Sequence, residues 1–325
     1  MKAILVNNDK SLSWSDVADP IIKSEEVLVK VHAAALNRAD LMQREGDYPP
    51  PPGCPEWMGL EVSGEIVEIG EEAKAKSDWK LGDKVCALLG GGGYAEYVAV
   101  KYDMLMPVPE NCSMVEAAAI PEAYATAYLK LFVEGHAKKG DTLLMQAGAS
   151  GLASVVIPMA KSFGLRVITS VITDPASISH LGADLIVDTR KESLPEVLKR
   201  EEEAGRAIDI AIDCLGGQNL GDCLPYVKYG CRWIVIAALA GVNTTIDLKN
   251  IYKKNIRIVG STLRSRTPEM KAQILADLVK YVWPKVSTGE VKPTIYKVLP
   301  ITEAEAAHDI LYRGENVGKV VLTVI

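Results

Sequence analysis

A glycine-rich stretch in the middle of the chain has the residue types and spacing of a phosphate-binding turn. Residues 140–164 read GDTLLMQAGASGLASVVIPMAKSFG, so a strand-like run precedes the glycines and a helix-like run follows them. Only in that context does such a motif bind a dinucleotide. Gly148 and Gly151 let the backbone turn tightly and approach a pyrophosphate, which accepts hydrogen bonds from N–H groups at the helix start. The stretch therefore predicts a dinucleotide site.

The neighbours of these glycines belong to the same predicted site. Ala153 stands at the third glycine position, where a small residue lets the helix pack on the strand. Ser150 offers a hydroxyl to the phosphates or the nicotinamide, and Leu152 lies in the turn. An ordinary strand-to-helix turn is the alternative interpretation. Pro158 should kink the helix that follows, because proline donates no backbone hydrogen bond.

The region around the turn alternates strands with helices. Its strand candidates are continuous apolar runs, as expected when helices cover both faces of a parallel sheet. They span residues 142–147, 166–171, 185–187, 207–213, 232–238 and 256–260. Helices are predicted between them, for example over residues 194–204 and 219–226. This pattern predicts a doubly wound Rossmann domain, which we place at residues 119–265.

The two ends of the chain have a different texture. Residues 1–115 contain short alternating or β-branched runs punctuated by Gly, Pro and Asp, which is typical of an irregular antiparallel β domain. After a predicted amphipathic helix at 268–286, strands are predicted at 292–298 and 319–324. We therefore predict an α/β protein in which residues 1–118 and 266–325 form one discontinuous β domain around the Rossmann domain.

Composition excludes several classes of function. The 325 residues carry a net charge of −6, which gives no basic footprint for nucleic acid. No apolar run reaches the roughly 18 to 20 residues that a membrane span needs, and the first residues do not resemble a signal peptide. The six cysteines are scattered without a C-x-x-C pair and are interpreted as reduced thiols. A cytoplasmic protein without nucleic-acid or membrane partners is expected.

Several motifs, in order along the whole chain, resemble the zeta-crystallin-like quinone oxidoreductase branch of the medium-chain dehydrogenase/reductase superfamily, and most closely its tumour-suppressor-inducible type. Besides the glycine-rich turn they are AAALNRADLMQREGDYPPPPG at 33–53, GLEVSGEIVEIG at 59–70, AIPEAYATAY at 119–128, GSTLRSR at 260–266 and ENVGKVVL at 315–322. The resemblance implies a GroES-like catalytic domain. It also implies a homodimer joined through the last Rossmann strand, here near residues 256–261.

The same resemblance argues against a zinc enzyme. The superfamily's alcohol dehydrogenases hold a catalytic zinc with Cys, His and Cys, and the matching positions here are Asn37, Leu60 and Glu122. Asn37 is a poor zinc ligand and Leu60 is none, so we expect no zinc. A quinone accepts hydride without a Lewis acid, because its product charge is delocalised over the ring.

The expected function is therefore hydride transfer from a nicotinamide cofactor to a small quinone. Reduction of an enone or 2-enoyl thioester is the alternative reaction. A non-catalytic nucleotide-binding protein is the alternative of another class, and a zinc alcohol dehydrogenase is the least favoured interpretation.

Further site residues follow from the resemblance. Asn37 and Tyr48 match the substrate pocket, although a turn Asn and a packing Tyr are the structural alternatives. Thr126 matches a position near the nicotinamide. Glu61 is interpreted as a structural residue rather than as a base.

Cofactor-contacting segments of the family match Leu239, Leu263 and Asn316. Arg264 and Arg266 are candidates for a phosphate or ribose contact, with a salt bridge at the dimer seam as an equal alternative.

The cofactor choice depends on the end of the second Rossmann strand. An NAD enzyme places an acid there to bind the ribose diol, whereas this chain has Val171. The hydroxyl of Thr173 could bind a 2′-phosphate, with Arg190 or Lys191 in reach, while Asp174 would repel it unless it turns away. NADPH is the predicted cofactor, and NADH stays open.

Overall fold

The computed structural model describes residues 1–324, which divide into two compact units. Unit 1 comprises Met1–Ala125, Thr267–Gly289 and Pro293–Ile325, and unit 2 comprises Thr126–Arg266 and Glu290–Lys292. The first boundary between the units, after Ala125, lies inside the helix Pro121–Tyr128, whereas the sequence placed the domain boundary after residue 118.

The strands and helices lie along the chain as follows. The strands are β1 (Lys2–Val6), β2 (Leu12–Asp16), β3 (Glu26–Ala35), β4 (Glu61–Ile69), β5 (Lys84–Leu88), β6 (Tyr97–Lys101), β7 (Leu105–Pro107), β8 (Thr142–Met145), β9 (Arg166–Val171), β10 (Leu185–Asp188), β11 (Ile210–Asp213), β12 (Arg232–Val235), β13 (Arg257–Gly260), β14 (Ile295–Pro300) and β15 (Lys319–Thr323). The helices are α1 (Arg38–Glu45), α2 (Glu71–Lys76), α3 (Met114–Ala118), α4 (Pro121–Tyr128), α5 (Ala153–Ser162), α6 (Leu194–Glu203), α7 (Gln218–Cys223), α8 (Leu248–Lys254), α9 (Pro268–Asp277), α10 (Trp283–Ser287) and α11 (Ala304–Arg313). Short 3₁₀ segments lie at Tyr102–Met104, Pro175–Leu181, Leu224–Tyr226 and Ile301–Glu303, and π-helical segments at Leu129–Glu134 and Leu278–Val282.

Unit 1 is built from both ends of the chain. Its main sheet has the order β14-β15-β3-β4-β5-β7, with β6 also paired to β3, and β1 and β2 form a separate two-stranded sheet. In β3 the buried residues Val27, Val29 and Val31 alternate with more exposed ones, as a strand with one face on a core requires. The pairing of β15 with β3 places Val321 opposite Ala35. The predicted discontinuous β domain is confirmed.

Unit 2 contains one parallel sheet in the order β10-β9-β8-β11-β12-β13. This is the doubly wound topology, in which the strand order reverses between β8 and β11. Strands β8 and β11 are fully buried, which explains their continuous apolar sequences. The predicted Rossmann domain is therefore confirmed as a fold.

Some predicted elements are shorter or interrupted in the structure. The strand predicted over 142–147 ends at Met145, because Ala147 adopts φ +54° and starts the turn. The helix predicted over 268–286 is interrupted by the π-helical segment, which ends just before Trp283 and Pro284. Proline cannot donate to the carbonyl four residues earlier, which accounts for the break. By contrast, α5 continues through Pro158.

Two further features concern the chain as a whole. Across residues 1–324, no helix combines the length and the apolar character that a membrane crossing requires. Burial raises the pKa of several cysteine thiols, so these side chains stay protonated and serve as small apolar core residues. They are Cys86, Cys214, Cys223 and Cys231.

Candidate active site

The glycine-rich turn follows the carboxyl end of β8 and leads into α5. The N–H of Gly148 donates to Ser170 O in β9 over 2.8 Å, which fixes the turn on the neighbouring strand. A Cβ atom at position 148 would lie 2.5 Å from Thr169 Oγ1 and 2.8 Å from Ile178 Cδ1. Because real Cβ atoms do not approach other atoms so closely, this position requires glycine.

The turn offers backbone donors to an anion. Ser150 Oγ accepts the N–H of Ala153 over 3.1 Å and so caps the start of α5, while its own hydrogen stays able to donate. The N–H groups of Gly151 and Leu152 have no hydrogen-bond acceptor among the described residues. Unsatisfied donors at a helix start suit a pyrophosphate, so the residues of the turn fit a dinucleotide.

The other predicted cofactor residues of unit 2 follow the carboxyl ends of further strands. Thr173 follows β9, Leu239 follows β12, and Leu263 and Arg264 follow β13. Leu239 is 59% exposed in its loop, whereas Leu263 is buried. In doubly wound sheets ligands bind at this carboxyl edge, next to the point where the strand order reverses. The structure thus brings these residues to one edge of the sheet, while Thr126 lies half-buried in α4.

Charges of both signs surround the end of β9. Arg190 donates to both carboxylate oxygens of Asp188, at 2.8 and 2.7 Å, and to Thr173 O at 3.0 Å. The hydrogen bonds from Arg190 hold the pKa of Asp188 well below its usual range. Asp174 Oδ1 accepts the N–H of Ala176 and caps the next turn, and the buried Thr173 Oγ1 has no hydrogen-bond partner in the described chain. A hydroxyl without a partner, on a residue whose backbone carbonyl binds an arginine, suits a further anionic group.

In unit 1, Asn37 is held by three different groups. It precedes α1, and its backbone N–H donates to Asp40 Oδ2 over 2.7 Å. Its side-chain Nδ2 donates to Glu61 Oε1 over 3.0 Å, and its Oδ1 accepts from Lys319 Nζ over 2.7 Å. The amide of Asn37 is therefore oriented within the protein on both its donor and its acceptor side.

The buried pair of Glu61 and Lys319 lies next to this amide. Lys319 Nζ is 2.6 Å from Glu61 Oε1, and Lys319 and Glu61 are 4% and 0% exposed. Glu61 Oε2 accepts the backbone N–H of Glu122 over 2.9 Å. Because three donors already bind this carboxylate, the geometry supports a structural role for Glu61 rather than the role of a base.

Asp40 connects α1 to two segments of unit 1 that lead into strands. Its carboxylate accepts hydrogen bonds from Asn37 N, Tyr94 OH and Gly59 N over 2.7, 3.0 and 3.3 Å. Burial raises the pKa of Asp40 to about 6, against the opposing effect of these donors and of the charge on Lys319. The carboxyl therefore links α1 to Asn37 and to the segments that precede β4 and β6.

The remaining predicted residues of unit 1 are Tyr48, in the loop that follows α1, and Asn316, in the turn that precedes β15. Tyr48 is half-buried in the loop after α1, which ends at Gly46 with φ +94°. Asn316 donates from Nδ2 to Gly318 O over 2.7 Å, directly before β15. This hydrogen bond shapes the turn that delivers Lys319 to Asn37.

Comparisons with known proteins settle the family. Residues 23–110 match the family "Alcohol dehydrogenase GroES-like domain", and residues 151–280 match the family "Zinc-binding dehydrogenase". The quinone oxidoreductase of Sus scrofa is 30% identical over 312 residues, which cover 95% of this chain and 92% of the relative. The chain belongs to the quinone oxidoreductase-like branch of the medium-chain dehydrogenase/reductase superfamily. It is an oxidoreductase-type enzyme of that branch.

Solved structures of similar proteins agree with this membership. The quinone oxidoreductase of Thermus thermophilus, which was also solved in complex with NADPH, is 29% identical with a TM-score of 0.81 over 100% of both chains. A protein described as an NAD-dependent alcohol dehydrogenase is 26% identical with a TM-score of 0.84, also over 100% of both chains.

The residues at the superfamily's zinc-ligand positions are not the usual donors of a zinc site. The amide of Asn37 binds Glu61 and Lys319, Leu60 is a buried apolar side chain, and Glu122 supplies a single carboxylate. Within residues 1–324, no cluster of three or more His, Cys, Asp or Glu side chains is arranged to hold a metal ion. Protein zinc sites are built mainly from Cys and His side chains, and this donor set offers none.

Sequence reasoning missed the importance of Lys319 and of a second buried lysine. Lys319 lies in the quoted ENVGKVVL motif, where it is the charged residue that starts an otherwise apolar strand. Lys130 is fully buried and donates to Ser261 Oγ over 2.6 Å. Arg266, which we considered for a phosphate contact, instead forms a salt bridge with Glu134 at 3.0 Å inside unit 2.

Proposed function

We propose that this protein transfers hydride from NADPH to a conjugated acceptor, with a quinone as the favoured substrate class, and that it does so without a metal ion. One observation carries the proposal. The positions of the superfamily's first two zinc ligands hold Asn37 and Leu60, and the amide of Asn37 is already bound to Lys319 and Glu61. An alcohol substrate needs a Lewis acid at this place, whereas a quinone does not.

The proposed chemistry requires positioning rather than activation. The nicotinamide cofactor supplies the hydride when it is bound. The glycine-rich turn binds its pyrophosphate through the N–H groups of Gly151 and Leu152, and Thr126, Leu239 and Leu263 contribute contacts in unit 2. In unit 1, Asn37 and Tyr48 line the acceptor pocket. The product oxyanion takes its proton from water, because its charge is spread over the ring.

The preference for NADPH is part of this proposal. Thr173 Oγ1 is a buried hydroxyl without a partner among residues 1–324, and Arg190 donates to the carbonyl of the same residue. Asp174 is turned into a cap on Ala176. These contacts leave the end of β9 able to accept a 2′-phosphate, and the complex of the Thermus thermophilus enzyme with NADPH provides a precedent in the branch.

The experiment is a side-by-side titration with NADPH and NADH, followed by steady-state assays on an acceptor panel. Binding of NADPH together with reduction of 1,2- or 1,4-quinones supports the proposal. Fast reduction of a crotonyl thioester with no quinone activity would instead assign the protein to enoyl reduction. Failure to bind either nucleotide at submillimolar concentration would indicate a non-catalytic role.

Assembly and location complete the proposal. The outer edge of β13 has no strand partner within residues 1–324, and its Ile258 is 42% exposed, so it can pair with the same strand of a second copy. We expect a homodimer formed in this way. The six free cysteines support a location in the reducing cytoplasm.

A further inference from the structure

A group of ionisable side chains in unit 2 takes no part in the proposed chemistry. Lys130 and Glu134 lie on the π-helical segment Leu129–Glu134, a rare type of helix that often occurs at functional sites, and Lys130 is fully buried. Lys130 Nζ donates to Ser261 Oγ over 2.6 Å, and Ser261 Oγ donates to Glu134 Oε1 over 3.1 Å. Both side chains of the segment therefore meet at the hydroxyl that directly follows β13.

Arg266 binds the same hydroxyl. Its Nη2 donates to Ser261 Oγ over 2.8 Å and lies 3.0 Å from Glu134 Oε1. The hydroxyl of Ser261 thus donates once, to Glu134, and accepts twice, from Lys130 and Arg266, which uses its full hydrogen-bonding capacity. Each of these bonds has an ionisable partner, and such bonds are the strong ones. We call Lys130, Glu134, Ser261 and Arg266 the Ser261 cluster.

The Ser261 cluster holds both ends of the turn formed by residues 262–265. Ser261 precedes the turn and Arg266 follows it, so the contact between their side chains closes the loop. Arg266 also donates from its Nε to Thr262 O over 3.3 Å and from its backbone N–H to Leu263 O over 3.1 Å. The position of the turn relative to β13 therefore depends on this cluster.

The turn lies at the part of the sheet edge where the nicotinamide half of the cofactor is expected. It carries Leu263 and Arg264, and it follows β13, the last strand in the order β10-β9-β8-β11-β12-β13. In the proposed function the pyrophosphate binds after β8 and the 2′-phosphate after β9. A dinucleotide on this edge therefore extends from β9 past β8 toward β11, β12 and β13. The nicotinamide half is close to the turn, and the adenosine half is remote from it.

We propose that the Ser261 cluster positions the nicotinamide half of the cofactor by fixing the turn that carries Leu263 and Arg264. Its four members are positioning residues, because they act through the turn. The inference rests on the proposed function, from which it takes the nicotinamide site, and it deepens that function by naming the residues that set the geometry of the site.

The test compares two ligands of the same protein. NADPH contains both halves of the cofactor, whereas adenosine 2′,5′-bisphosphate contains only the half that binds after β9. Their dissociation constants are measured by calorimetric titration for the wild type and Arg266→Ala, well below the melting temperature of each protein. We expect Arg266→Ala to raise the constant for NADPH at least about fivefold and to change that for the bisphosphate less than about twofold. If the wild type prefers NADH, the two ligands are NADH and AMP.

Two further variants separate positioning from a general loss of stability. Glu134→Gln keeps the shape of the side chain and an acceptor oxygen but removes the charge, so it should fold and weaken NADPH selectively by a smaller factor. The double variant Glu134→Gln/Arg266→Ala should weaken NADPH no more than Arg266→Ala alone, because both substitutions release the same turn. The matched control is Arg206→Ala, which breaks an ion pair with Glu201 at the opposite edge of the sheet, before β11, and should change neither constant.

Equal weakening of both ligands by Arg266→Ala, or no change in either, would overturn the inference, and so would a double variant in which the two effects simply add. A wild type that binds neither nucleotide removes the proposed function and the inference with it. A wild type that binds NADPH but reduces no acceptor removes only the reductase function, and a selective loss of NADPH binding in Arg266→Ala would then still support the inference.

Discussion

At the scale of single residues, His308 is one of the buried polar side chains of unit 1 that lack hydrogen-bond partners among the described residues. Asp40, Glu61 and Lys319 each satisfy one another or the backbone, whereas neither ring nitrogen of the fully buried His308 has a hydrogen-bond partner among residues 1–324. Its ring packs edge-on against Tyr94, with centroids 6.1 Å apart. Burial lowers the pKa of His308 to about 4, with a smaller contribution of the same sign from Arg44 and an opposing one from Glu305.

This histidine should make the folded state sensitive to acid. The folded pKa lies below the unfolded value of about 6.5, so the unfolded chain binds the proton first and stability is lost as the pH falls from about 6.5 to 4. We expect His308→Met to remove this loss. The unfolding free energy of the variant minus that of the wild type should be about 2 kcal/mol higher at pH 5 than at pH 7.5.

The measurement is urea unfolding of the wild type and His308→Met at both pH values. The control is His180→Met, at an exposed histidine of unit 2. This substitution should change the unfolding free energy by the same amount at both pH values. If the two proteins lose the same free energy between pH 7.5 and pH 5, His308 is protonated in the folded state and the argument is wrong.

Arg190 allows a second prediction at this scale. Its guanidinium contacts Thr173 O and Asp188 at the end of β9, where we expect the 2′-phosphate of NADPH. Arg190→Ala should raise the dissociation constant for NADPH about tenfold, since a charged hydrogen bond contributes about 1.5–3 kcal/mol, and change that for NADH little. Fluorescence titration measures both constants.

The control for this prediction is Arg206→Ala. Arg206 is an exposed arginine that pairs with Glu201 and precedes β11, so its loss removes the same charge from unit 2 at the amino edge of the sheet, opposite the carboxyl end of β9. An equal weakening of NADPH and NADH by Arg190→Ala would show that Arg190 supports the loop rather than reads the phosphate.

At the scale of elements, the contact between the glycine-rich turn and β9 determines whether the cofactor turn can form. A side chain at position 148 would collide with Thr169, whose hydroxyl donates to Met145 O over 2.7 Å. Gly148→Ala should therefore lower the unfolding free energy by about 1–3 kcal/mol and weaken nucleotide binding. Thermal unfolding and nucleotide titration check the two effects.

A second substitution tests the cause. Three atoms lie nearest to the added Cβ, and Thr169→Ala removes two of them, Thr169 Oγ1 and Cγ2. The third is the flexible end of the Ile178 side chain. In a double-mutant cycle Gly148→Ala should therefore cost less beside Thr169→Ala than in the wild type, with a coupling of at least about 1 kcal/mol. Strictly additive effects would place the damage elsewhere in the turn.

Elements were predictable from sequence where local patterns specify them. The strand, turn and helix around Gly148 follow from the order of apolar and glycine residues, and the turn required only a correction at Ala147, whose positive φ ends β8 early. Helix α1 was missed, because its eight residues, RADLMQRE, are mostly polar and show little apolar periodicity. The sequence did contain one signal for this helix. Asp40 lies three residues after Asn37, and at that spacing the Asp40 carboxylate can accept the backbone N–H of Asn37 at the helix start.

At the scale of the whole molecule, contacts between distant parts of the chain are what sequence patterns do not reveal. The strand-like patterns at both ends of the chain indicated that these ends form one β domain, and the pairing of β15 with β3 bears this out. They did not reveal that Lys319 meets Asn37, because 282 positions separate the two residues and only the register of those strands joins them. The likeness identified Asn37 as a position of interest, whereas the folded chain shows that a buried lysine binds its amide.

Assembly is the remaining property at this scale, and β13 is the element on which the proposed homodimer depends. Within residues 1–324 its four residues pair with β12 on one side only, and Arg257, Ile258 and Gly260 are exposed. A twofold axis beside such an edge lets two copies pair their strands antiparallel and continue the sheet across the dimer. Lysine on an edge strand opposes this pairing, because its charge would have to be buried in the contact.

We therefore expect Ile258→Lys to convert the proposed dimer into monomers, so that the mass in sedimentation falls from about twice 35.1 kDa to 35.1 kDa. Nucleotide binding should persist, because the glycine-rich turn follows β8 in the middle of the sheet. Ile21→Lys is the matched control, since Ile21 is 92% exposed in unit 1 and its replacement makes the same chemical change without touching the edge strand. A wild type that sediments as a monomer, or an Ile258→Lys variant that remains a dimer, would rule out β13 as the seam, because an interface built on this strand cannot tolerate a buried ammonium without an acceptor.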